Sequence, residues 1–164
     1  MSLDSRHCLR CGGPTAPQPI EGRLRKRCEL CGWVHWLNPA SAAAGLVLHE
    51  RRVLLVRRAV DPCYGQWALP AGYQEIDEPA PEAVQREVRE ECGIDVRVEG
   101  LHDLIWIPGG HRPANLAVFR CTPLSLEPRP GSDVLAAAWF DLAALPEELA
   151  FDNGPRILWP LRDL

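Results

Sequence analysis

The chain contains no run of about eighteen apolar residues, so a membrane-spanning helix is not expected. Its start lacks a basic flank followed by an apolar stretch, so no secretory leader is expected either. Positive charge is not in excess: 18 Lys and Arg face 22 Asp and Glu, a net charge of −4 with neutral histidines. An acidic protein gains little from general attraction to nucleic acid or anionic lipid, so neither is expected as a partner. Internal repeats and low-complexity segments are also missing. What remains is a 46% hydrophobic composition over 164 residues, enough for one ordinary domain plus a small module.

The cysteines are unevenly placed. Four of the seven form two pairs, Cys8-Leu-Arg-Cys11 and Cys28-Glu-Leu-Cys31, each followed by glycine. Paired CxxC motifs without a secretory leader indicate metal before disulfides, and a reducing, cytoplasmic setting. Four thiolates at this spacing suit tetrahedral Zn²⁺, and Gly12 and Gly32 permit the tight turns. Four sulfur ligands leave no open position, so the zinc is expected to be structural. His7 and His35 then read as surface or packing residues. Cys63, Cys92 and Cys121 stand singly and also read as packing residues.

Residues 1–39 are thus expected to form a zinc ribbon. Pro14 to Pro19 reads as an irregular loop inside it. Asn38-Pro39 marks the boundary to a second domain over 40–164. The run from Arg23 to Arg27 raises the question of a nucleic-acid patch. Residues 1–40 carry only +3, and a zinc ion with four thiolates brings that to about +1, which favours a solvated strand.

Beyond the boundary, Ala42–Leu48 and Val53–Arg57 read as strands joined by a charged turn. Further strands are expected at Asp95–Leu101, Leu116–Cys121 and Val134–Phe140, with Leu104–Ile107 a candidate for another. A short helix is expected from Asn153, with Pro155 in its first turn. Pro79–Cys92 reads as the main helix. Pro79 and Pro81 are tolerated only in a first turn, and Gly93 ends it. Ala80, Val84 and Val88 give this helix an apolar stripe. Glu87, Glu90 and Glu91, three and four residues apart, share another face, with Arg86 beside them. Three carboxylates at a helix C-terminus repel one another and oppose the helix dipole. One arginine cannot neutralise all three. A divalent cation with a preference for hard oxygen, Mg²⁺ or Mn²⁺, can, and Mg²⁺ commonly bridges carboxylates to substrate phosphates. A solvated charged face is the plainer alternative.

The segment Gly72 to Ile94 decides between them. It resembles the Nudix signature, G-x5-E-x7-R-E-U-x-E-E-x-G-U with U aliphatic, at Gly72, Glu78, Arg86, Glu87, Val88, Glu90, Glu91, Gly93 and Ile94. The resemblance implies an α/β sandwich with a mixed sheet, here preceded by a small zinc ribbon. It implies that Glu87, Glu90 and Glu91 bind metal and activate water. It further implies that the Ala71 carbonyl adds a metal ligand, that Arg86 orients a carboxylate and that Glu78 supports the loop. The implied reaction is hydrolysis of a phosphoanhydride in a nucleotide-containing small molecule. Many relatives use a further acidic residue ahead of the last strand. Asp133 occupies that place, with a plain turn residue as the alternative.

The segments Glu21 to Gly32, Asn38-Pro39 and Gly65 to Tyr73 resemble a ribbon-bearing Nudix subgroup acting on ADP-ribose and FAD. Pro108, fifteen residues after Gly93, stands about where ADP-ribose-cleaving relatives carry a proline. A ribbon-bearing branch that cleaves NADH or NAD-capped RNA carries Ser-Gln-Pro-Trp-Pro-Phe-Pro, which this chain lacks. NADH cleavage, sanitation of oxidised nucleoside triphosphates and a non-catalytic nucleotide sensor or nucleic-acid binder are the alternatives. Trp106, Phe119 and Tyr73 are candidates to stack a ring, and His111 and Arg112 to meet phosphate. Self-association as a homodimer is left open.

Overall fold

The computed structural model describes residues 6–109, 112–131 and 133–162. The chain forms two compact units. One comprises the residues up to Ala40 with Pro108–Pro113; the other comprises Ser41–Ile107 and the residues from Ala114 onward.

The first unit is a three-stranded antiparallel sheet in the order β1 (Thr15–Ile20), β2 (Arg23–Cys28), β3 (Val34–His35). Glu21 and Gly22 make the β1–β2 turn, both with positive φ (50° and 74°), as a two-residue hairpin loop requires. The irregular loop expected from Pro14 to Pro19 is therefore corrected: most of it is strand. Strand β1 lies at the sheet edge, where only alternate residues must bond to the partner. Pro17 and Pro19, two apart, share one side of it and so need not interrupt the ladder. Arg23 to Arg27 is strand, as its solvated reading requires. The outlying Pro108–Pro113 segment is tied in through Ala40 N–H to the Pro113 carbonyl (2.8 Å). The Arg112 guanidinium also donates to the Asn38 carbonyl (3.1 and 3.2 Å).

The second unit holds a sheet in the order β10 (Val134–Asp141), β5 (Arg52–Arg58), β4 (Ala40–His49), β9 (Ala114–Pro123), β8 (Val96–Ile107). Short strands β6 (Trp67–Ala68) and β7 (Ala71–Tyr73) pair with β5 and β4. Side chains alternate along β4 and β5 and both faces are buried. Ala43, Val47, Leu54 and Val56 join Val84, Val88 and Cys92 of helix α1 (Ala80–Cys92) in one core. Ala44, Leu46, Val53 and Leu55 join Ile157, Leu158 and Leu161 in the other. Helical turns Gly154–Leu158 and Trp159–Leu161 supply the latter three. The sheet is thus sandwiched between α1 and the C-terminal turns, the α/β sandwich expected. Gly45 lets α1 approach closely, since a Cβ there would stand 2.8 Å from Val88 Cγ2.

The two strand candidates at Asp95–Leu101 and Leu104–Ile107 are one strand. Register shifts at Val98/Gly100 and Leu101/Asp103 break its alternation, which is why it read as two pieces. The C-terminal helix begins after Asn153, but its first turn is wide, with Trp159 N–H reaching the Gly154 carbonyl. Of the single cysteines, Cys92 and Cys121 are core residues, whereas Cys63 sits in a turn at φ 66° with its carbonyl accepting Gln66 N–H.

Candidate active site and metal centre

Helix α1 begins after Pro79, whose extended backbone precedes the first turn, and ends at Gly93 in the left-handed conformation (φ 66°). Its buried side is Ala83, Val84, Val88 and Cys92, which leaves the carboxylate face turned away from the core. Arg86 organises that face. Its Nε and NH2 grip both oxygens of Glu78 (3.1 and 2.7 Å). Its NH1 donates to Glu87 (2.7 Å) and Glu90 (3.1 Å), and NH2 also donates to the Tyr73 carbonyl (3.0 Å). A planar guanidinium with five donors is suited to this fork. Glu78 closes the loop ahead of the helix by accepting Glu75 N–H (3.0 Å), while the Gln74 side chain donates to its carbonyl (2.6 Å). The Arg86 guanidinium holds the Glu78 carboxyl below the usual carboxylate range.

Glu91 is held separately. Its Oε2 accepts the backbone N–H of Ala71 (3.0 Å), in the strand β7 that pairs with β4. Burial pushes its pKa up to about 7. The Ala71 bond and the charge of Arg58 oppose that rise, and the charges of Glu87 and Asp133 add to it. Burial also raises the pKa of Glu87 against the pull of Arg86. Gly72 leaves room for Glu87: a Cβ there would run into the Glu87 carboxylate. Two carboxylates that hold protons too tightly, beside a third on the same turn, are under-compensated by the single Arg86. That hard-oxygen donor set fits a divalent cation.

The sequence-derived residues come together only in part. Arg86, Glu87, Glu90 and Glu91 fall within the last two turns of α1, and Asp133 acts electrostatically on Glu91 from just ahead of β10. The Ala71 N–H, not its carbonyl, is the group seen to contact the carboxylates. Among the described residues, the group of three or more His, Cys, Asp or Glu whose ligand atoms all lie within 4.8 Å of one another is Cys8, Cys11, Cys28 and Cys31. The glutamates do not converge in that way, because Arg86 draws two of them and Ala71 the third. Phe119 is a core residue and is withdrawn as a ring-stacking candidate. Tyr73 and Trp106 are exposed, Arg112 is engaged with the Asn38 carbonyl, and His111 lies outside the described residues. Two contributors went unnoticed in the sequence, the Tyr73 carbonyl and Arg58. Nothing in residue type or spacing marks either one.

The four thiols form two close pairs, Cys8 Sγ to Cys31 Sγ at 3.8 Å and Cys11 Sγ to Cys28 Sγ at 3.5 Å. Zn–S bonds of about 2.3 Å in a tetrahedron separate sulfurs by about 3.8 Å, so this donor set fits zinc. Each knuckle closes through a glycine with φ near 70°: Gly12 N–H bonds the Cys8 carbonyl and Gly32 N–H the Cys28 carbonyl. The Arg10 and Cys31 amides point at the Cys8 and Cys28 sulfurs (3.4 Å each), which favours thiolates.

The chain belongs to the Nudix family: the NUDIX domain model matches residues 26–159. It is therefore a Nudix hydrolase with a four-cysteine group near its N-terminus. It is 33% identical over 133 residues to an ADP-ribose pyrophosphatase of Methanocaldococcus jannaschii, covering 80% of this chain and 78% of that one. It is 28% identical over 149 residues to the NAD-capped RNA hydrolase NudC of Vibrio atlanticus, covering 90% of this chain and 53% of that one. The fold superposes on a crystal structure of a NUDIX hydrolase from Nitrosomonas europaea with a TM-score of 0.84 and 30% identity. That match covers 96% of this chain and 88% of that one.

Proposed function

We propose that this Nudix hydrolase is a Mg²⁺-dependent pyrophosphatase acting on a nucleoside diphosphate joined to another group, with ADP-ribose, FAD or both as substrates. The observation that carries the reading is the carboxylate turn. Glu87 and Glu90 are drawn together by Arg86, and Glu91 is held by Ala71 N–H with its proton affinity raised by burial. Glu87, Glu90 and Glu91, with the carbonyl of Ala71, are the residues that would hold Mg²⁺ or Mn²⁺. When bound, the metal lowers the pKa of a water and offsets charge on the phosphates. Arg86 keeps the carboxylates aimed, Glu78 braces Arg86 and the loop, and Asp133 adds negative charge beside Glu91.

ADP-ribose stands ahead of other substrates on two supports. One is the relative of that name, matched over most of both chains. The other is the segment from Gly65 to Tyr73, which forms β6 and β7, the latter placing the Ala71 N–H on Glu91. Cleavage of NADH or NAD-capped RNA is the second reading, favoured by the relative named an NAD-capped RNA hydrolase. Cys8, Cys11, Cys28 and Cys31 are proposed to hold one structural Zn²⁺, over a ribbon comprising residues 1–39. The setting is proposed to be cytoplasmic, in keeping with free thiols.

A hydrolysis screen with Mg²⁺ tests the reading, using ADP-ribose, FAD, NADH, dinucleoside polyphosphates and nucleoside triphosphates. Addition of one water to ADP-ribose yields AMP and ribose 5-phosphate; FAD yields AMP and FMN. Those products at the highest kcat/KM are expected. Faster release of inorganic pyrophosphate from a nucleoside triphosphate would overturn the substrate assignment, and no turnover of any of them would overturn the enzyme.

A further inference from the structure

Outside the signature, one segment makes an unusual contact with the carboxylate turn. The loop after β9 runs back along the last turn of α1. Arg129 N–H bonds the Cys92 carbonyl (2.7 Å) and Gly131 N–H bonds the Glu91 carbonyl (3.0 Å). These carbonyls are at the negative end of the helix, where no intrahelical donor remains for them. Gly131 lies so close that an added Cβ would run into the Glu90 carbonyl oxygen, and would stand 3.4 Å from Glu91 Cα. The same loop is anchored upstream, by Leu124 N–H on the Asp95 carbonyl (2.8 Å) and by Trp139 Nε1 on the Leu126 carbonyl (3.1 Å). Two residues beyond Gly131 comes Asp133, which acts on Glu91.

We infer that Gly131 is a positioning residue of the metal site: its bare Cα and its N–H seat the 128–131 loop on the turn carrying Glu90 and Glu91, and so fix the backbone from which both carboxylates reach the metal. The inference rests on the proposed reading of Glu90 and Glu91 as metal-holding residues. The contact is with main chain, so a side chain at 131 has no flexible neighbour to displace. Either the loop lifts, taking two amide donors from the helix end, or the turn shifts. Either movement relocates the backbone of Glu90 and Glu91 relative to Glu87, which sits against Gly72 and shares the Arg86 NH1 donor with Glu90.

The test uses Mn²⁺ binding to the full chain without substrate, read by electron paramagnetic resonance, on wild type, Gly131→Ala and Glu91→Gln. Gly131→Ala is expected to weaken Mn²⁺ at least tenfold and to lower kcat by more than it raises KM. A purely structural glycine would lower the melting temperature and leave the Mn²⁺ affinity of the folded fraction unchanged. That result overturns the inference. Glu91→Gln separates the two levels: if it retains wild-type Mn²⁺ affinity, the metal-site reading itself fails. A measurement on wild type covers the case in which Gly131→Ala does not fold. Coupling between sites is reciprocal, so Mg²⁺ alone should slow hydrogen exchange at the Arg129 and Gly131 amides. The gain should exceed that at the Leu142 amide, which bonds Arg51 at the far end of β5. Equal gains at all three amides would contradict the coupling.

Discussion

Glu91 carries the chemistry most open to titration. Burial moves its folded pKa up to about 7, above the ordinary value of 4.5 for a free glutamate. Between those values the folded chain binds more protons than the unfolded one. The contribution of Glu91 to metal-free stability is therefore greatest below pH 4.5 and falls as pH rises through about 7. Glu91→Gln removes the titrating group, so the difference in melting temperature between mutant and wild type should grow in the mutant's favour from pH 4.5 to 7.5. Melting curves in chelator across that range check this; a constant difference would mean that Glu91 is not held protonated. Arg86 is the counterpart. It meets Glu78, Glu87 and Glu90 at once, an arrangement for which lysine lacks the fork.

At the scale of elements, α1 was legible because its signals are local. Two prolines fix the start, a glycine fixes the end, and glutamates three and four apart share a face. The edge strand β1 was not legible, because its prolines argue for a loop until the partner strand shows which side needs no donor. The long β8 was split because its bulges reverse the alternation that identifies a strand. The cysteine knuckles, like the helix, carry their spacing in the sequence. They also carry a test. The purified chain, denatured after preparation without chelator, should release about one Zn²⁺, the content of one four-thiolate site. Cys28→Ser should lower the melting temperature sharply while the folded fraction keeps its kcat. Zinc-free protein with Cys8, Cys11, Cys28 and Cys31 in disulfides would refute the ribbon assignment.

For the whole molecule, the candidate carboxylates could be named from spacing and family resemblance, but their partners could not. The Ala71 amide reaches Glu91 only because β7 pairs with β4, and the amide of Gly131 reaches the helix end only because β9 and β10 bracket the loop. Such contacts join main-chain atoms far apart in sequence, where residue type carries little signal. These contacts are proposed to serve a metal-dependent site on α1, and the Mg²⁺-induced rise in melting temperature tests that directly. A ligand that binds only the folded state raises its stability with the logarithm of its concentration relative to its Kd. Glu91→Gln should lose part of the Mg²⁺-induced rise seen in wild type. Its kcat should fall by about a hundredfold or more, a loss of roughly 2.7 kcal/mol of transition-state stabilisation. An unchanged Mg²⁺ shift in Glu91→Gln would contradict the account and reduce Glu91 to part of a charged surface.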